Sequence, residues 1–367
     1  MNTNPRTLIN AYRTLQDARR PLVLATVIET FGSTYRKAGA RMLITESGEF
    51  HGIIGGGCFE GDLLERAQQV FADGQPALHF YDMRAEEDEL WGLGLGCNGA
   101  VRLLLERIDI LQDAGPLSIL QRCLEQRNRG VLATVCASDN PDYPAGKHFF
   151  VRENTFIQDD LPGWLLTGIR QVRETKLPVL AMHTPGHETV TVFYDWIQPP
   201  PHLLIIGAGP DAIPLTGLAH SMDWEVTVVD HREAYADRNK FFTADQVLAV
   251  KPEALMDHVE LDSVDAAVLM THNINYDERF LKILAETNIG HIAMLGPVSR
   301  RDRLLKKSGN LSALLEGRVT GPAGLDIGAR LPEEIALSIM AELVARYRRN
   351  HVLMVQPEVM RECAVAG

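Results

Sequence analysis

A short apolar run, Leu203-Leu204-Ile205-Ile206, leads directly into Gly207-Ala208-Gly209-Pro210-Asp211-Ala212, and a second run, Val226-Thr227-Val228-Val229, ends in Asp230. Apolar residues that stop at a glycine turn, with a helical pattern after it, restrict this stretch to strand, tight turn and helix. A carboxylate at the end of the next strand completes the fingerprint of a dinucleotide-binding turn. In that reading Gly207 and Gly209 let a pyrophosphate reach the helix N-terminus, Asp230 accepts from an adenosine ribose, and Arg232 pairs instead with a 2′-phosphate. The competing reading keeps the glycines for packing alone, and it is favoured by Pro210, which has no N–H to offer in the phosphate loop.

Further strands at Ala266–Met270 and Ile292–Leu295, separated by a helical pattern over Tyr276–Thr287, extend the alternation and imply a parallel sheet. Thr271-His272-Asn273 falls just past a strand's C-terminal end, where open α/β sheets place ligands, so His272 is a candidate acid, base or ligand contact, or a hydrogen-bonding structural residue. Gly321-Pro322-Ala323-Gly324-Leu325-Asp326-Ile327-Gly328-Ala329 forms another edge loop, followed by a helix that starts at Pro332-Glu333-Glu334. The proline run Gln198-Pro199-Pro200-Pro201-His202 continues neither a helix nor a central strand. The expected fold class is α/β with two domains, residues 1–198 and a Rossmann-like parallel sheet with flanking helices over 202–350, then a C-terminal tail over 351–367.

The N-terminal part contains an echo. Val23-Leu24-Ala25-Thr26-Val27 recurs as Val131-Leu132-Ala133-Thr134-Val135, each with an Ala-Gly pair beyond it, Ala38-Gly39 and Ala145-Gly146. His79-Phe80-Tyr81-Asp82 also resembles Val192-Phe193-Tyr194-Asp195, so a duplicated α/β unit is expected. Only the first copy carries cysteines between glycines, in Gly55-Gly56-Gly57-Cys58-Phe59-Glu60-Gly61-Asp62 and Gly94-Leu95-Gly96-Cys97-Asn98-Gly99. Glycine lets the backbone approach a ligand closely and take up positive φ. An amphipathic helix over Phe59–Ala72 with Gly74 beyond it would set Cys58 at a helix N-terminus, which favours a thiolate. The bland alternative is a small buried residue in a tight turn. Cys123 and Cys136 read as core, and Cys363 carries no signal.

Five scattered cysteines suggest neither a disulfide framework nor a zinc module, and a reducing, cytoplasmic compartment fits. The N-terminus has no secretory pattern and no apolar run reaches bilayer-spanning length, so no membrane role is expected. A net charge of -12 argues against nucleic acid as a partner.

With these residues assembled, the chain resembles the XdhC/CoxI family, accessory factors for molybdenum hydroxylases such as xanthine dehydrogenase. The resemblance rests on Leu24-Ala25-Thr26-Val27 leading to Gly32-Ser33, on Ala38-Gly39-Ala40-Arg41-Met42, on Gly56 through Asp62, and on Gly321-Pro322 through Gly328 with Pro332-Glu333-Glu334-Ile335-Ala336. After Leu295-Gly296 the chain departs from the family pattern with Pro297-Val298-Ser299-Arg300-Arg301. The resemblance implies binding of molybdenum cofactor (molybdopterin), sulfuration together with a cysteine desulfurase, and delivery to an apo-hydroxylase. It places Cys58 and Cys97 as molybdenum or sulfur contacts, the latter a soft-ligand role that thiolates suit. Gly56, Gly57 and Asp326 fall in the motif loops, and Arg36, Lys37 and Arg41 offer charge for the pterin phosphate or a solvated strand end. It leaves open whether the Rossmann half takes NAD, NADP, another nucleotide or nothing. A nicotinamide-dependent oxidoreductase using Gly207, Gly209, Asp230 and His272, and a docking scaffold for desulfurase and client, are the competing functions. The long C-terminal helix is expected to pack between protomers of a homodimer.

Overall fold

The computed structural model describes residues 5–16, 20–57, 59–84, 99–110, 115–153 and 161–352. The chain divides into two compact units, Met1–Pro199 and Pro200–Gly367. Cys58, Cys97 and Cys363 lie outside the described residues.

The first unit runs α1 (Pro5–Gln16), β1 (Leu22–Gly32), β2 (Arg41–Thr45), β3 (Phe50–His51), α2 (Glu60–Asp73), β4 (Ala77–Asp82) and β5 (Gly99–Ile108). It continues α3 (Pro116–Glu125), β6 (Gly130–Ser138), β7 (His148–Arg152), α4 (Leu165–Thr175), β8 (Val179–His183) and β9 (Val190–Ile197). These strands make two antiparallel sheets, β3-β2-β1-β5-β4 and β7-β6-β9-β8. Setting aside the two-residue β3, the sheets have one order and one connectivity, a helix-strand-strand-helix-strand-strand unit used twice. The match extends to irregularities. The ladder slips after Val27 in one half and after Val135 in the other. Gly39 at φ +90° donates its N–H to Val27 O at 2.8 Å, and Gly146 at φ +84° donates to Val135 O at 2.8 Å. The pentapeptide echo therefore marks a duplication. The second echo misleads, because His79–Asp82 lies in β4 and Val192–Asp195 in β9, whereas the counterpart of β4 is β8 and that of β9 is β5. Adjacent aromatic residues are common in strands, and their recurrence does not by itself fix an alignment.

Period-two alternation turns Val23, Ala25 and Val27 toward Leu63, Ala67 and Val70 of α2, and Val131, Ala133 and Val135 toward Leu165, Ile169 and Val172 of α4. The opposite faces meet through Ile28, Leu104, Cys136 and Phe193, and α1 and α3 close one end with Leu8, Ile9, Leu117 and Cys123. Each fully buried Leu, Ile or Val contributes roughly 1.5–3 kcal/mol. Cys123 and Cys136 are core residues, and burial raises both thiols, Cys123 to about 11.

The second unit runs β10 (His202–Ile206), α5 (Ala212–Ser221), β11 (Glu225–Asp230), β12 (Gln246–Ala249), α6 (Leu255–His258) and β13 (Ala266–Leu269). It continues α7 (Ile274–Ala285), β14 (His291–Met294), α8 (Val298–Lys307), α9 (Ser312–Leu315), β15 (Val319–Thr320) and α10 (Pro332–Val352). All strands are parallel, in the order β12-β11-β10-β13-β14-β15. The order reverses across β10, which places a crevice above its C-terminal end. Leu215 and Ala219 of α5 with Ile339, Met340 and Leu343 of α10 cover one face, and Phe280, Leu281, Leu304 and Leu315 cover the other. The apolar face of α10, expected at a protomer interface, is thus consumed inside its own unit. Among the described residues no helix is long and apolar enough to cross a membrane.

Candidate functional site

In the first unit the loop before α2 is fixed from below. Phe59 stacks on Tyr81 of β4, ring centroids 4.6 Å apart and planes at 16°. A Cβ on Gly55 would lie 2.6 Å from the Phe59 ring, so only glycine lets the loop fold over it. Gly56 and Gly57 take φ of +67° and +100°, the first beside the Tyr35 ring and the second facing open space. The Glu60 carboxylate reaches back to accept from the N–H of Gly55 at 3.1 Å and of Phe59 at 3.2 Å. Tyr81 OH donates to Asp62 Oδ2 at 2.6 Å, and Arg66 lies 3.5 Å from the same oxygen. Burial and the Asp62 charge push the Tyr81 hydroxyl well up, while burial pushes His79, on the same strand, down. Met83 and Gly99, described residues on either side in sequence of the stretch that carries Cys97, meet near this point, with Met83 N–H donating to Gly99 O at 2.9 Å. Gly99 passes so close to Ser33 that a Cβ would meet Ser33 O at 2.3 Å.

The internal symmetry separates what the fold needs here from what is particular to this end. Tyr81 pairs through Val101 to Thr30, and His183 through Val190 to Ser138, which makes Tyr81 and His183 counterparts. The buried Leu63 and Leu165 align α2 with α4 and set Asp62 against Trp164. In the second half the spot is filled by rings, Trp164 and His183 at 5.2 Å, with His183 Nε2 and Tyr194 OH at 2.8 Å. The first half has instead a carboxylate hydrogen-bonded to a phenol, with Phe59 stacked on that phenol and three successive glycines in the adjoining loop.

Arg41 is buried and paired within the first unit. Its Nη2 lies 2.8 Å from Asp195 Oδ2 of β9, both side chains under 10% exposed, at 6% and 9%. Nη1 donates to Gly39 O at 3.2 Å. Its counterpart His148 lies 3.0 Å from Glu106, which is the counterpart of Asp195. Each half thus sends one basic residue across to a buried carboxylate of the other. Lys37 Nζ donates to Gly32 O at 3.3 Å.

In the second unit the predicted nucleotide residues meet at the crevice but satisfy one another. Gly207 takes φ +120°, where a Cβ would strike Met270 O at 2.3 Å. Asp230 is fully buried, with Oδ2 accepting from Ala208 N–H and Arg232 Nη2, both at 2.8 Å. Oδ1 accepts from Arg232 N and Nε, both at 2.9 Å. Burial alone would raise this carboxyl, yet Arg232 and Ala208 outweigh it and hold the pKa down. Arg232 in turn stacks over Tyr235 at 3.6 Å. His272, at φ +58°, places Nε2 2.8 Å from Asp211 Oδ2. Its loop is pinned on both sides, by Thr271 Oγ1 donating to the buried Asp277 at 2.5 Å and by Asn273 Oδ1 accepting from Asn275 N–H at 3.0 Å. Arg300, in the stretch that departs from the family pattern, is anchored to the same Asp277 at 2.6 Å. Asp326 is exposed in the loop after β15. That loop is tied to α10 by Gly324 N–H donating to Glu342 at 2.7 Å and by Leu325 N–H donating to Ser338 O at 3.2 Å.

Asp62, Tyr81 and Asp211 enter these arrangements without being singled out from the sequence as site residues. Asp62 was within reach, in the motif one turn past Cys58. The others depend on partners distant along the chain.

The model of the XdhC and CoxI family matches residues 15–82, and that of the XdhC Rossmann domain matches 203–343. A protein of Bacillus subtilis described as a probable component of xanthine dehydrogenase is 33% identical over 93% of this chain and 99% of its own length. The molybdenum cofactor insertion chaperone PaoD of Escherichia coli is 22% identical over 88% of this chain and 82% of its own. The crystal structure of a xanthine dehydrogenase from Bacillus halodurans superposes with a TM-score of 0.74 at 30% identity, covering 93% of this chain and 96% of that one. On both domain matches and the full-length relative, the chain belongs to the XdhC and CoxI family.

Proposed function

We propose that this chain is a maturation factor for a molybdenum hydroxylase of the xanthine dehydrogenase type. It holds molybdenum cofactor as cargo, supports exchange of a terminal oxo ligand, which leaves as water, for sulfido drawn from the persulfide of a cysteine desulfurase with two electrons from a thiol reductant, and hands the cofactor to the apo-enzyme in the cytoplasm. The observation that carries the reading is the pair of near full-length relatives, one described as a component of xanthine dehydrogenase and one as a molybdenum cofactor insertion chaperone.

Within the chain, the first half of the first unit is the preferred seat. There the Trp164–His183 contact of the second half is replaced by the Asp62–Tyr81 pair, with three glycines and Glu60 in the adjoining loop, next in sequence to the motif cysteine. Cys58 and Cys97 are assigned as the thiols that contact molybdenum or carry sulfur, a role for which a soft, polarisable ligand is suited. Gly56 and Gly57 admit the pterin to the backbone. Arg41 is assigned to the fold through Asp195.

The test is activation of an apo-hydroxylase by the full chain with a cysteine desulfurase and molybdenum cofactor. Cys58→Ser with Cys97→Ser is expected to lose most of the activation while keeping the wild-type melting temperature. Full activation by the folded double variant would remove the thiols from the mechanism.

A further inference from the structure

The crevice above β10 has the glycine turn, strand order and terminal carboxylate of a dinucleotide site, yet most of what the fingerprint provides is taken by the chain itself. The phosphate loop has few donors left. Gly207 N–H goes to Val229 O at 2.7 Å, Ala208 N–H to Asp230 at 2.8 Å and Ala212 N–H to Gly209 O at 3.0 Å. Position 210 is proline and has none. Over the second glycine, where a pyrophosphate would rest against the backbone, sits a carboxylate, since a Cβ on Gly209 would be 2.5 Å from Asp211 Oδ1. That oxygen is buried without a hydrogen-bond partner, and Oδ2 faces His272 Nε2 at 2.8 Å. The ribose acceptor Asp230 is enclosed by Ala208 N–H and the Arg232 fork. Finally, the residue after β11 and the first turn of the helix after β13 touch across the end of β10. The His231 and Tyr276 rings stack with centroids 3.5 Å apart and planes at 20°, leaving no gap for a base between them.

We infer that the Rossmann unit is closed to NAD(P), and that Asp211 is the residue that excludes the pyrophosphate. A phosphate brought to the turn meets a carboxylate where a dinucleotide site offers N–H donors, and like charges at contact distance in a partly dry crevice repel strongly. The His231–Tyr276 stack adds a steric bar at the base position. The unit retains the doubly wound fold while the ligand for which that fold is best known is kept out. This inference is independent of the cofactor-carrier reading, which concerns the other unit.

The test is titration of the full-length protein with NADH and NADPH, followed by nucleotide fluorescence and calorimetry. The wild type is expected to show no saturable binding up to about 1 mM. Asp211→Asn, which removes the charge and keeps the shape, is expected to bring saturation into that range, and Asp211→Asn with Tyr276→Ala to tighten it further. Melting curves confirm that each variant is folded. Saturation of the wild type below about 1 mM overturns the inference, and so does a folded double variant that stays as unresponsive as the wild type.

Discussion

Replacing Arg41 by methionine tests the division of labour between fold and site. The Arg41–Asp195 pair joins the two duplicated halves at 2.8 Å with both side chains nearly excluded from solvent. Removing one partner leaves the Asp195 carboxylate without its counter-charge, which costs about 3–5 kcal/mol for a buried pair. Replacing both, as Arg41→Met with Asp195→Leu, removes the stranded charge and is expected to recover most of the loss. The assay is urea unfolding of the full chain, with hydrogen exchange on peptides from β2 and β9 to localise the change. The single variant is expected to lower the protection of both strands and the double variant to restore it. If Arg41→Met costs less than about 1 kcal/mol while molybdenum cofactor retention collapses, Arg41 is a ligand contact and the structural assignment fails.

Three further variants test the geometry. Tyr81→Phe removes a hydrogen bond to a partly exposed carboxylate and is expected to cost about 1–2 kcal/mol in urea unfolding and to lower client activation. His183→Phe, at the matching place in the second half, should leave activation unchanged, and equal losses in both would show that the asymmetry has no functional content. Burial alone would raise Glu342, but His291, Gly324 N–H and Thr320 hold it down to about 2. The folded state therefore binds fewer protons than the unfolded one below the usual carboxylate range, and the contribution of Glu342, roughly 1–3 kcal/mol, is complete above that range and lost as pH falls toward about 2. Glu342→Gln should flatten the acid limb of stability against pH, and an unchanged limb would refute the assignment.

The strands of the second unit were legible because fully buried parallel strands read as short apolar runs closed by glycine or a polar residue. The duplication was legible from Val23–Val27 and Val131–Val135, since these central strands keep their inward residues in both copies. What misled was local similarity without topology, as with the aromatic tetrapeptides of β4 and β9. Arg41 reads from the sequence as a contact for the pterin phosphate or as a solvated strand end, because its partner Asp195 is in the other half of the duplicated unit and nothing in a one-dimensional pattern signals a bond across two sheets. Asp230 carried the right spacing for a ribose acceptor, while Arg232 two residues on, read as a phosphate partner, folds back onto the carboxylate. The Asp211–His272 contact depends on a left-handed His272, a backbone conformation that side-chain identity does not predict. The helix after Cys58 is legible in its Leu63–Ala67–Val70 spacing and in Gly74, which caps α2 at φ +72°.

Retention of molybdenum is the most direct test of the cofactor-carrier account. Purified molybdenum cofactor is added anaerobically to the full chain and to Cys58→Ser, and molybdenum is measured in the protein peak after size exclusion. The account predicts stoichiometric retention by the wild type and its loss in the folded variant. A well-folded wild type that elutes without molybdenum would contradict the claim that this chain carries the cofactor.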